Sequence, residues 1–185
     1  MKLLTYEKNG ARSVGVSVNE GIVNLTAALA ETHPNVKEAD SLLHIIQAGI
    51  DIDAISEESL GKLRSSGTLS KHLVSGFKWL PPVMRPSKIL ALALSFQEHI
   101  DETSLDFFNE PIVFAKYPSN MIANGDTIEL PPFEQKVDEE CELGVVIGRD
   151  TRHGKGRGHA EALQHIQDAP DANLCAELSG GGAEI

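Results

Sequence analysis

A chain of 185 residues, 41% hydrophobic and 23% charged, holds enough apolar material to bury a core and suits one domain with a small appendage. Its net charge of -11 argues against nucleic acid, because phosphate contacts need clustered Lys and Arg; an acidic excess instead suits cation binding. No apolar run approaches a membrane span, no basic stretch leads into one, and Cys141 and Cys175 sit in no zinc or disulfide spacing, so a cytoplasmic protein with reduced thiols and no membrane partner is expected.

Residues 1 to 25 alternate β-type runs with turn signals: Lys2 to Tyr6, Asn9-Gly10, Ser13 to Val18, Asn19-Glu20-Gly21, then Ile22 to Leu25. This predicts a small antiparallel meander. Asp40 and Ser41 offer N-caps for a helix over Leu42 to Ala48 that Gly49 stops, and Ser56 is a cap for a second helix through Leu63. A small α+β unit over 1–80 results. The run Trp79-Leu80-Pro81-Pro82-Val83-Met84-Arg85-Pro86 removes backbone donors and favours extended chain, which places a domain boundary there.

Beyond it, Lys88 to Leu94 is a short apolar run, expected as a strand buried on both faces, with a helical segment as the alternative. Further β-type runs span Pro111 to Lys116, Thr127 to Leu130 and Cys141 to Arg149, so the second unit, 85–185, reads as strand-rich. Gly154, Gly156, Gly158 and the closing Ser179-Gly180-Gly181-Gly182 loosen the divergent stretch 153–185, which is expected to be partly disordered.

Three groups carry candidate chemistry. In a strand from Glu140 to Ile147, Glu140 and Glu142 project to one face, an i, i+2 carboxylate pair suited to a hard cation; a solvated acidic edge is the plain alternative. His99 and Glu102 stand three residues apart after Ser95, where an imidazole and its carboxylate partner suit a general base; an exposed His at a helix start is the alternative. Lys116 and Ser119, in Phe114-Ala115-Lys116-Tyr117-Pro118-Ser119, offer a cation and a hydroxyl suited to a substrate carboxylate or enolate; a solvated Lys at a strand end is the plain alternative.

Taken in order, the His-x-x-Glu turn after a strand, Phe-x-Lys-x-Pro-Ser, Asn124-Gly125-Asp126 before a Leu-Pro-Pro, and Val-Asp-x-Glu-x-Glu-Leu resemble the fumarylacetoacetate hydrolase family from about Arg85 to Arg152. The resemblance implies an α+β fold ending in a strand-rich mixed β-roll, partial here. It implies a homodimer that binds Mg2+, or Mn2+ or Ca2+, through two Glu and one Asp. On this sequence Glu140 and Glu142 match the two Glu, His99 and Glu102 the dyad, and Ser95, Lys116 and Ser119 the substrate pocket. The implied activity is hydrolysis or lysis of small 1,3-dicarbonyl or 2-oxo acids, with decarboxylation and isomerisation sharing the enolate intermediate.

The sequence departs from the family pattern too. Ser95-Phe96 stands where Asn-Tyr is common, and Glu139 where Tyr is common. The third metal ligand, an Asp after an Asn, and a catalytic Lys have no recognisable counterpart; Asn173-Leu174 falls where Asn-Asp is expected, and Glu161 to Ile166 resembles the helix after the metal strand. A truncated product is therefore expected, and an inactive remnant or subunit-pairing module is the rival reading. A plain acidic ligand-binding domain is the third.

Overall fold

Turn chemistry organises the first sheet. The computed structural model describes residues 1–37, 39–93, 110–133, 137, 142–148 and 163–164. Strand β1 (Lys2–Lys8) and strand β2 (Ala11–Val18) form a hairpin on the two-residue turn Asn9-Gly10, whose φ values of 53° and 77° are the paired positive angles that let a tight turn follow the strand twist. Strand β3 (Gly21–Asn24) returns along β2, and two short later strands, β4 (Leu73–Val74) and β5 (Lys78–Leu80), complete an antiparallel sheet in the order β4-β3-β2-β1-β5. Gly15 in β2 lies where sheet and side chains crowd: a Cβ there would meet Leu4 Cγ and Ile22 Cγ2, each at 3.1 Å.

Three helices cover this sheet's apolar residues. Helix α1 (Leu25–Thr32) is capped by Asn24, whose Oδ1 accepts from Ala27 N at 3.0 Å. Helix α2 (Leu42–Gln47) ends ahead of Gly49 at φ 65°, and helix α3 (Ile52–Ser65) is capped by Asp51, which accepts from Ala54 N at 3.1 Å. Val14, Val16 and Val23 of the sheet join Leu25, Leu29, Leu42, Ile45, Leu60 and Leu63 of the helices in one buried core. Each such side chain fully removed from water contributes about 1.5–3 kcal/mol before its ordering cost. Thr26 ties helix to sheet: its Oγ1 accepts from Val14 N at 2.9 Å and donates to Ala39 O at 2.6 Å.

The chain divides into two compact units, Met1–Val83 with Ile122–Ile185, and Met84–Met121. In the second, strand β6 (Ile89–Ala93) pairs antiparallel with β7 (Ile112–Lys116), from Ile89↔Lys116 to Ala93↔Ile112. In the first, β8 (Val146–Ile147) pairs with β9 (Leu163–Gln164).

The α+β, strand-rich class holds, but several local expectations change. Leu25 opens α1 instead of closing a strand, because the Asn24 side chain takes up a helical N–H there. Ser56 is not a cap: Asp51 starts α3 five residues earlier, and Ser56 is fully buried inside the helix. Within the run 88–94, Ile89–Ala93 do form a strand, yet not one buried on both faces, since Leu90 and Leu92 are 61% and 49% exposed while Ala91 on the other face is buried. Among the described residues β6 has a single partner strand, which leaves one face of the ribbon open. Thr127 to Leu130 form no strand, and of Cys141 to Arg149 the described part is paired only at Val146–Ile147. Leu163 and Gln164, expected in a helix, are extended because they pair with that strand. The rest of 153–185 lies outside the described residues.

Candidate functional site

Strand β7 has the β-branched and aromatic residues that favour a pleated ladder, and its alternation puts Phe114 and Lys116 on one face. Lys116 Nζ lies 5.6 Å from the centre of the Phe114 ring, within reach of a cation–π attraction. Pro118, with its fixed φ, then turns the chain into a short 3-10 segment, Pro118–Asn120, closed by Asn120 N donating to Tyr117 O at 2.9 Å. Ser119 is exposed there and donates to Asn120 Oδ1 at 3.3 Å. Lys116 thus closes β7 and Ser119 follows it in the 3-10 segment just beyond the strand.

In the other unit, Ala123, Asn124, Gly125 and Asp126 make a tight turn. Asp126 N donates to Ala123 O at 3.0 Å, Asp126 Oδ2 accepts from Ala123 N at 3.0 Å, and Gly125 takes φ 82°. Lys78 Nζ of β5 stands 3.9 Å from Asp126 Oδ1. Further along, Glu142 is half-buried and precedes β8, so it falls outside the two-residue ladder, and the strand periodicity assumed for the carboxylate pair does not reach it among the described residues. Leu143 and Val145, expected on the opposite face, are 76% and 49% exposed.

Ser95, His99, Glu102 and Glu140 lie outside the described residues. Of the described candidates, Lys116 and Ser119 fall in the unit Met84–Met121 and Glu142 in the other. Among the described residues no group of three His, Cys, Asp or Glu side chains is arranged to hold a metal ion, and no helix is long and apolar enough to cross a membrane. Phe114, part of the Phe-x-Lys-x-Pro-Ser segment but given no role by it, is the ring that stands beside Lys116. The period of two along β7 is the signal that finds it.

Comparison with known proteins gives this arrangement a context. The domain described as fumarylacetoacetate (FAA) hydrolase C-terminal matches residues 88–168. The chain is 36% identical over 88 residues to the mitochondrial oxaloacetate tautomerase FAHD2A of Homo sapiens, covering 48% of this chain and 27% of that protein. It is 30% identical over 114 residues to the mitochondrial oxaloacetate tautomerase fahd2 of Xenopus laevis, covering 60% and 35%, and 42% identical over 80 residues to an uncharacterised protein of Archaeoglobus fulgidus, covering 43% and 32%. These matches span about a third or less of the relatives' own lengths. The fold is similar to that of a solved fumarylacetoacetate hydrolase (EaFAH) from psychrophilic Exiguobacterium antarcticum, with a TM-score of 0.63 at 23% identity over 88% of this chain and 52% of that one.

Proposed function

We propose, from the match of residues 88–168 to the fumarylacetoacetate (FAA) hydrolase C-terminal domain, that this chain is a fumarylacetoacetate hydrolase family member and carries part of the site of a metal-dependent hydrolase or lyase for small 1,3-dicarbonyl or 2-oxo acids. The observation that carries this reading is the family match over residues 88–168, which contains every residue of the candidate site. The human and frog relatives are named oxaloacetate tautomerases, and oxaloacetate is a 2-oxo acid whose enol forms by moving one proton from carbon to oxygen. Isomerisation of that kind is the simplest member of the reaction class proposed here.

In this reading His99 takes up and returns the proton, while Glu102 fixes the imidazole tautomer and stabilises the imidazolium. Lys116 and Ser119 hold a substrate carboxylate, and the Phe114 ring beside Lys116 restricts where that ammonium can go. Ser95 lines the same pocket. Glu140 and Glu142 are hard oxygen donors, a set that suits Mg2+, with Mn2+ or Ca2+ as alternatives. A cation held by them supplies Lewis acidity that favours an enolate over its keto form.

The reading also takes the chain as two domains, 1–80 and 85–185, and as one subunit of a cytoplasmic homodimer. The human and frog relatives are mitochondrial by name, so imaging a tagged chain against markers of both compartments decides that point. A second reading, a subunit-pairing module without turnover, is favoured by the exposure of Leu90, Leu92 and Val113 at 61%, 49% and 52%, apolar surface that a partner chain would cover.

Thermal melts with and without millimolar Mg2+ or Mn2+, on the wild type and on a Glu140→Ala, Glu142→Ala double variant, separate the two. A ligand present at a hundred times its Kd stabilises by about 2.7 kcal/mol, so the wild type alone is expected to shift upward. Metal-dependent decay of oxaloacetate enol absorbance, lost in His99→Ala, is expected with it. An unshifted melt and no turnover, with a stable dimer in sedimentation, would leave the pairing module in its place.

A further inference from the structure

Two Asn-Gly pairs occur in the chain, Asn9-Gly10 and Asn124-Gly125. Such pairs share an intrinsic chemistry. Glycine has no side chain to hinder its backbone nitrogen, and that nitrogen can attack the carboxamide of the preceding asparagine.

The fold holds the two pairs differently. Asn9 and Gly10, at φ 53° and 77°, occupy the tip of the β1–β2 hairpin, and the strands are paired in register from Lys8↔Ala11 to Lys2↔Ser17. Bringing Gly10 N onto the Asn9 side chain requires rotation about the bond between the Asn9 α-carbon and its carbonyl. That rotation pulls against the whole ladder. Asn124 is exposed in a turn with no strand on either side: residues 121–123 and 126–131 are unpaired in any sheet. The turn is closed by one backbone bond, Asp126 N to Ala123 O, and by the Asp126 carboxylate accepting from Ala123 N. Opening it breaks no strand ladder, and local opening of that kind sets the rate of chemistry on the backbone.

We infer that Asn124 is a site of spontaneous deamidation, with water as co-reactant, and that the hairpin protects Asn9 from the same fate. Gly125 N bonds to Asn124 Cγ, the Cγ–Nδ2 bond breaks, and Nδ2 leaves as ammonia with the proton from Gly125 N. Water then opens the cyclic imide at either carbonyl. One product is aspartate; the other is isoaspartate, with the main chain rerouted through the side-chain carbons. Both add a negative charge next to Asp126, which already stands 3.9 Å from Lys78 Nζ. The isoaspartate also lengthens the turn by one carbon, so the Ala123–Asp126 closure is lost. Deamidation is thus a slow, irreversible change at the point where residues 122–126 meet β5.

The test ages the purified full chain at mildly alkaline pH and maps its tryptic peptides 9–12 and 117–136 by mass spectrometry, with isoaspartyl methyltransferase and a labelled methyl donor reporting isoaspartate. Conversion at Asn124, several-fold ahead of Asn9, is expected in the native chain, with the two rates converging in urea. An Asn124→Gln chain is expected to lose the methyl label from peptide 117–136. Equal rates in the native chain, conversion at Asn120 instead, or a gap that persists unchanged in urea would each overturn the inference.

Discussion

The N-terminal α+β region and the β6–β7 ribbon are made of similar material and treat it in opposite ways. Leu42 to Ile46 and Ile89 to Ala93 are both short apolar runs. In the first, Leu42 and Ile45 are 3% and 0% exposed; in the second, Leu90 and Leu92 are 61% and 49% exposed. Leu42 and Ile45 join the core cluster that also holds residues of the sheet and of the other two helices, so one stripe of the helix is enclosed. The ribbon pairs two strands, and a two-stranded sheet has no second layer of its own. Burial is therefore a property of the partner a segment finds, and composition sets only the demand for one.

Truncation is the strongest way to break this comparison. Leu29→Ala removes a side chain with no exposure from the helix–sheet core and is expected to cost about 2–5 kcal/mol in urea unfolding, whereas Leu92→Ala on the ribbon should stay near the roughly 0.5 kcal/mol of ordinary surface changes. Equal costs would mean that the open face of the ribbon is covered in solution.

Helix caps sharpen the comparison at a smaller scale, within the buried region. Asn24 makes its cap hydrogen bond and Ser41, at the start of α2, makes none. Asn24→Ala is accordingly expected to lower stability by about 0.5–2 kcal/mol, and Ser41→Ala to change the unfolding midpoint little. A large loss at Ser41 would show that its hydroxyl bridges through solvent.

The smallest effect concerns surface charge. Arg64 donates from Nε and from a terminal nitrogen to Glu20, at 3.0 and 3.1 Å, and holds the Glu20 carboxyl below its ordinary value of 4.5. A depressed folded-state value means that the contribution is fully present above the unfolded value and is lost as pH falls through the folded one. Both groups are exposed, so solvent screening keeps the effect small. Glu20→Gln should lower the neutral-pH midpoint slightly and match the wild type in strong acid. An offset that persists in acid would assign the loss to packing and not to charge.

Much of the N-terminal region was legible residue by residue. Asn9-Gly10 and Asn19-Glu20-Gly21 mark the turns of the meander, and Gly49 marks the end of α2, because positive φ is a demand that a few neighbouring residues satisfy by themselves. Competing local signals were less decisive. Asp51 and Ser56 are both able to cap a helix, and the structure selects Asp51 because the helix so started buries Ile52, Ser56 and Leu60 together. Of the candidate site, the placing of Phe114 and Lys116 on one face of β7 follows from the strand period. The placement of Glu142 does not, because β8 is only two residues long and its partner β9 lies sixteen residues on in sequence.

What the sequence determined by itself is the α+β class, the acidic character, the hairpin turns and the motif order that resembles the domain matched over residues 88–168, all written in short stretches of neighbouring residues. Only the tertiary structure decided that Thr5 pairs with Leu80 at a sheet edge, that Leu25 belongs to a helix, and that Leu90 and Leu92 stay in contact with water. Those outcomes depend on partners many residues distant, whose approach is settled by shape and by the closure of long loops, quantities that no local pattern contains.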